Sequence, residues 1–119
     1  MSTKPCKVLV VDDDADTREA LSTALSEAGF AVDEVEGGGQ ALDWIRRHGE
    51  PDVILLDLRM PHIDGAQLLA RLRGGRARAI VISGDSSARL IRFARDARLL
   101  GKPVDLAELE KAVREACAA

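Results

Sequence analysis

Aromatic side chains are nearly missing from this chain: Phe30, Trp44 and Phe93 stand alone among 119 residues, and there is no tyrosine. Any core must therefore be assembled from Val, Leu, Ile and Ala. Long apolar runs are missing too. The longest reach four or five residues, far below the roughly 20 that a helix needs to cross a bilayer. Residues 1–7 hold no apolar stretch of the secretory-signal kind, so the chain reads as cytoplasmic with no membrane partner. Cysteine is limited to Cys6 and Cys117, which have no metal-ligand spacing. In a reducing compartment both are expected as thiols, either small buried apolar groups or incidental surface ones. No repeat, linker or low-complexity segment interrupts the chain, and residues 1–119 read as a single domain.

A strong positive charge is also lacking. The net charge is −3, which argues against direct nucleic-acid binding. The balance is uneven, however. Residues 1–70 carry 6 basic against 14 acidic side chains, and residues 71–98 carry 8 arginines against 2 aspartates. The arginine-rich stretch reads either as a solvated helix surface or as a local docking face.

What is present is an alternation of two textures. Short β-branched runs at about 7–11, 31–35, 53–56, 79–82 and 98–101 predict strands. Helical spacing separates them. The first helix has Ala20, Leu21, Ala24, Leu25 and Ala28 on one face, an Asp16-x-x-Glu19 start resembling a capping box, and a stop at Gly29. The second presents Ala41, Leu42 and Ile45 before Gly49; the third Leu68, Leu69 and Leu72 before Gly74-Gly75. The fourth presents Leu90, Ile91, Phe93 and Ala94, with Arg89, Arg92 and Asp96 outward. The fifth presents Leu106, Leu109, Ala112, Val113 and Ala116. Five strands alternating with five helices predict an α/β fold with a mostly parallel sheet covered on both faces.

In such sheets, functional groups gather beyond the carboxyl ends of the strands. Asp12-Asp13-Asp14 follows Val8-Leu9-Val10-Val11, and Asp57 follows Val53-Ile54-Leu55-Leu56. Two carboxylates about 4 Å apart repel by roughly 4 kcal/mol at an effective dielectric near 20, so a cationic group belongs among them. Ser83 closes the fourth run and Lys102 the fifth. Singly, each is ordinary turn, cap or surface chemistry. Together, at matching ends of one periodic pattern, they point to a site.

At these residues the chain resembles the receiver domain of two-component response regulators over essentially its whole length. Asp57-Leu58-Arg59-Met60-Pro61-x-x-Asp64-Gly65 is similar to that family's acceptor strand and following loop. Asp12-Asp13 matches its acidic pair, Ser83 its hydroxyl position and Lys102-Pro103 its Lys-Pro. The resemblance implies a flavodoxin-like (βα)5 fold with strand order 2-1-3-4-5 and a cis peptide before Pro103. It also implies that Asp57 accepts a phosphoryl group, assisted by Lys102 and Ser83. Mg²⁺, for which Mn²⁺ could substitute, would be held by Asp12, Asp13, Asp57 and the backbone carbonyl of Arg59. The implied partners are a sensor histidine kinase or histidine phosphotransfer protein and a downstream effector or fused output domain. The chemistry is reasonable on its own terms. A carboxylate can form an aspartyl-phosphate, and phosphoryl transfer asks mainly for positioning and charge neutralisation.

His48 and His62 read as solvent-facing, and Asp14 as directed toward the start of the first helix. The chain departs from the family after Ser83. Leu99 stands where an aromatic is usual, and a short span to Lys102 predicts a short or irregular fourth helix. Arg59 and Asp85 flank the expected pocket and read either as simply solvated charges or as a pair that slows dephosphorylation. Other readings are weaker. A phosphohydrolase of the aspartate-nucleophile type usually has a second Asp where Arg59 stands. A flavin module would place a hydroxyl- and Gly-rich loop where Asp12 to Asp14 lie. A degenerate receiver acting as an unphosphorylated scaffold would not need the complete set.

Overall fold

The β-branched runs become five strands: β1 (Lys7–Val11), β2 (Ala31–Val35), β3 (Val53–Asp57), β4 (Arg78–Ser83) and β5 (Arg98–Gly101). Among the described residues three helices accompany them: α1 (Ala15–Glu27), α2 (Gly38–His48) and α3 (Leu106–Ala118). This is a computed structural model, and it describes residues 5–57, 70–71, 75–84 and 97–118. The expected third and fourth helices, with Leu68, Leu69, Leu72, Leu90, Ile91, Phe93 and Ala94, lie outside the described residues. So does the question of a short or irregular fourth helix.

All four strand pairings are parallel, in the order β2-β1-β3-β4-β5. That is the expected flavodoxin-like order. Every residue of β3 is buried, as is β1 from Val8 onward, which is why these strands read as unbroken apolar runs. Alternate side chains serve opposite faces. Leu9, Val11, Ile54, Leu56 and Val81 pack on one side with Ala41 of α2. Val8, Val10, Leu55, Ile80 and Ile82 pack on the other with Leu21 and Leu25 of α1 and Leu109, Ala112 and Val113 of α3. Small aliphatic side chains thus fill both layers, as the shortage of aromatics requires.

The helix ends follow local chemistry, with corrections. Asp14, not the Asp16–Glu19 pair, caps α1: its backbone is extended (φ −91°, ψ 114°) and its carboxylate accepts from the Thr17 N–H at 3.0 Å. Asp16 lies inside the first turn, where its charge suits the positive helix end. Gly29 and Gly49 follow α1 and α2 with φ of 101° and 84°, a conformation costly for residues with a Cβ. On α1, Ser22 is buried and Ala20 exposed, so the inward stripe is rotated from the expected one. Leu106, expected inward, is 53% exposed at the first turn of α3, short of the buried stripe.

The cysteines carry the largest correction. Cys6 and Cys117 form a disulfide rather than separate thiols, with Cα atoms 6.0 Å apart across 111 residues of sequence. The reason is directional. A helix that returns from the carboxyl edge runs antiparallel to the strands, so the end of α3 arrives beside the start of β1. No helix among the described residues is long and apolar enough to cross a membrane.

Two substitutions test this account by urea denaturation. Leu55→Ala, at a fully buried position, lowers the unfolding free energy by about 2–5 kcal/mol. Asp14→Ala removes the α1 cap and costs about 1 kcal/mol.

Candidate functional site

The parallel register sets the site. Val11 pairs with Leu56, so Asp12, one residue later, emerges beside Asp57. Asp57 pairs with Ile82, and Ser83 follows at the end of β4. Ser83 pairs with Gly101, and Lys102 comes next, its backbone N–H donating to the Ser83 carbonyl at 3.1 Å. Adjacent strands therefore deliver two carboxylates, a hydroxyl and an ammonium to one edge. β1 connects outward to β2 while β3 lies on its other side, so the site occupies the topological switch point.

Asp57 is buried, with only 3% of its side chain exposed, and its Oδ1 lies 2.7 Å from the Lys102 Nζ. That contact is a close ion pair whose angles fall short of a hydrogen bond. Asp12 is buried more completely. One of its oxygens accepts from the Asp14 N–H at 2.9 Å, and the other has no hydrogen-bond partner among the described residues. Burial, with neighbouring Asp57 and Asp13 adding to it, pushes the Asp12 carboxyl up to about 7, although the Asp14 N–H pulls the other way. Asp13 is exposed at the rim. The peptide bond between Lys102 and Pro103 is cis, as the family resemblance implies.

Two supporting residues carry no signal in the sequence pattern. Arg18, one turn into α1, donates to the Asp12 carbonyl at 2.8 Å and meets Glu34 at 3.4 Å, tying the loop after β1 to α1 and β2. Thr17 joins Leu21, Ile82, Pro103 and Val104 around Asp57 and Lys102, lining a cavity of about 510 Å³. The helical spacing of α1 places Arg18 and Thr17 near the strand ends, but only the fold shows what they touch. Arg59, Met60, Pro61, His62, Asp64, Gly65 and Asp85 lie outside the described residues, and so does the expected Arg59–Asp85 pair. His48 is exposed, as expected, at the end of α2.

Among the described residues, no three His, Cys, Asp or Glu side chains already stand together as a metal cage. The buried, unpartnered oxygen of Asp12, the neighbouring Asp57 carboxylate and exposed Asp13 nonetheless fit a hard cation that retains several waters.

Comparison with known proteins agrees with this geometry. The model of the response regulator receiver domain family matches residues 8–114. The chain is 38% identical over 92 residues, 77% of its length, to the response regulator MprA of Mycobacterium sp. (strain KMS); the match spans 36% of that relative. A response regulator receiver protein from Burkholderia phymatum superposes with a TM-score of 0.82 at 32% identity, covering 97% of this chain and 96% of the other. A CheY-like receiver domain from Methanospirillum hungatei JF-1 gives 0.84 at 25% identity, covering 97% and 95%. The chain belongs to the response regulator receiver domain family. Domains of that family generally use Mg²⁺ at their phosphorylation site.

Opposite stability changes are expected at the two buried carboxylates when no divalent ion is present. Asp12→Asn removes a buried charge beside another and raises the unfolding free energy by about 1–2 kcal/mol. Lys102→Ala strips Asp57 of its counter-charge and lowers it by about 1–2 kcal/mol, a figure held down by the partial exposure of Lys102. Thermal denaturation in EDTA measures both.

Proposed function

We propose that this domain accepts a phosphoryl group on Asp57 from a phosphohistidine of a sensor histidine kinase or histidine phosphotransfer protein. Loading then changes its affinity for a downstream effector or fused output domain. The observation that carries this reading is the environment of Asp57. It is a buried carboxylate, paired at 2.7 Å with Lys102 and neighbouring Asp12, one of whose oxygens is buried without a hydrogen-bond partner among the described residues. A purely structural carboxylate has no use for that arrangement, because crowding charges at a buried edge is unfavourable unless something binds there.

In the proposed step, an Asp57 oxygen attacks the phosphorus, a P–O bond forms, and the P–N bond of the donor breaks with its electron pair returning to the imidazole. The burial of Asp57 limits water around the acyl-phosphate. Lys102, already within reach, transfers its ion pair from the carboxylate to a phosphoryl oxygen. Ser83, at the next strand end, donates its hydroxyl to another. Asp12, Asp13, Asp57 and the Arg59 carbonyl would hold Mg²⁺. When bound, the ion would neutralise charge on the transferred group.

The domain would therefore be a switch that assists its own modification, not a turnover enzyme. It would act in the cytoplasm, without direct contact to nucleic acid or membrane. To move a resting population of about 1:99 to 99:1, loading must favour the active form by roughly 5.5 kcal/mol. Contacts from Lys102 and Ser83 that exist only in the loaded state are the source. Leu99, 38% exposed and three residues before Lys102, supplies no aromatic ring to report the shift. Readout would have to come from backbone and helix displacement.

Incubation with acetyl phosphate and Mg²⁺ is expected to add one phosphoryl mass to the wild type and none to Asp57→Asn. Lys102→Ala should lower the rate or the yield. A modification that persists in Asp57→Asn, or continuous phosphate release without an accumulated adduct, would overturn the reading.

A further inference from the structure

The amino-terminal edge of the sheet, opposite Asp57, holds an open cavity of about 880 Å³. Its walls include both halves of the Cys6–Cys117 disulfide, with Lys7, His48, Asp52 and Arg114 around them. The polar groups of this cavity are anchored. Asp52 accepts from the Lys7 N–H at 2.9 Å and pairs with Arg76 at 3.2 Å. Arg114 lies over the Phe30 ring, 5.4 Å from its centroid, and pairs with Glu110. The disulfide is only half-buried. It stands in the wall of a space of the size that encloses small organic ligands, next to solvent rather than sealed inside the core.

We infer that Cys6–Cys117 is a reversible thiol–disulfide exchange site whose reactant is a low-molecular-weight thiol entering this cavity. In the cytoplasmic setting of the proposed function, on which this exchange depends, thiol pools reduce accessible disulfides and a solvent-facing bridge is transient rather than permanent. The site is separate from the phosphoryl chemistry and does not require it. In the forward direction an external thiolate attacks one sulfur, the S–S bond breaks, and the other cysteine leaves as a thiolate that takes up a proton. A second external thiol then attacks the mixed disulfide and releases the remaining cysteine. The two protein sulfurs gain two electrons and two protons, and the external thiols leave joined as their disulfide.

The mechanical consequence follows from where the bond lies. It ties the residue before β1, the strand that leads into Asp12, to the last turn of α3, closing a loop across 111 residues of sequence. Opening it removes that constraint on the unfolded chain and frees the helix end to fray. Leu109, Ala112 and Val113 stay packed on the sheet, since they are buried without help from the bridge. The reduced form is therefore folded and less stable, with a Tm lower by roughly 10 °C.

The test uses the full chain equilibrated in mixtures of reduced and oxidised glutathione. Expected are no maleimide-reactive thiols in the oxidised form and two in the reduced form, with reduction complete in the absence of denaturant. The Cys6→Ser and Cys117→Ser chains should each take up one glutathione. The Cys6→Ser/Cys117→Ser chain should match the Tm of reduced wild type and ignore reductant. Two reactive thiols under oxidising conditions, disulfide-linked dimers in place of the internal bond, or reduction only after unfolding would each overturn the inference. Equal Tm values for the oxidised and reduced forms, or no glutathione adduct on either single variant, would do the same.

Discussion

Everything at the carboxyl edge depends on holding two like charges where they repel. Asp12 and Asp57 can be neighbours only because β1 and β3 run parallel and in contact, and the apolar faces of those two strands hold them there. Coulomb repulsion and desolvation oppose the arrangement. Burial of Leu9, Val10, Ile54, Leu55 and their neighbours opposes separation. The residues of the site thus strike a compromise in which the core imposes proximity and Lys102 relieves part of the charge. The rise in the Asp12 carboxyl to about 7 comes first from its burial, with the neighbouring Asp57 and Asp13 charges adding to it.

Much of this was legible in the sequence because it rests on periodicity and direction. The runs ending at Val11, Leu56 and Ile82 name their strands, and parallel crossovers then force Asp12, Asp57, Ser83 and Lys102 to one edge. What was not legible turns on short-range competition or on distant contacts. Asp14 and Asp16 are chemically equivalent caps, and the extended backbone at Asp14 decides between them. Arg18 looks like any solvated helix charge until the loop after β1 curls under it and presents the Asp12 carbonyl. Ser22 in place of Ala20 on the buried face of α1 reflects a small rotation that the apolar spacing leaves open.

The cysteines show the same limit more sharply. Composition and compartment argued for independent thiols, an inference about environment rather than geometry. The fold brings together two residues separated by 111 positions, because a strand start and an antiparallel helix end meet at one edge. Sequence spacing holds no information about that meeting. The direction of the final helix relative to the sheet does, and it follows from the crossover rule that placed the acidic residues at the other edge.

The two edges are mechanically linked through β1 and α3. β1 starts directly after Cys6 of the disulfide and leads, through five strand residues, into Asp12. α3 begins just after Lys102-Pro103 and ends at the same disulfide. A displacement of Lys102 toward a phosphoryl group would therefore act on the front of a helix whose far end is either pinned or released by the bond between Cys6 and Cys117. With Leu99 unable to report the change through an aromatic ring, the helix α3 and its attachment are the part of the described structure best placed to carry it.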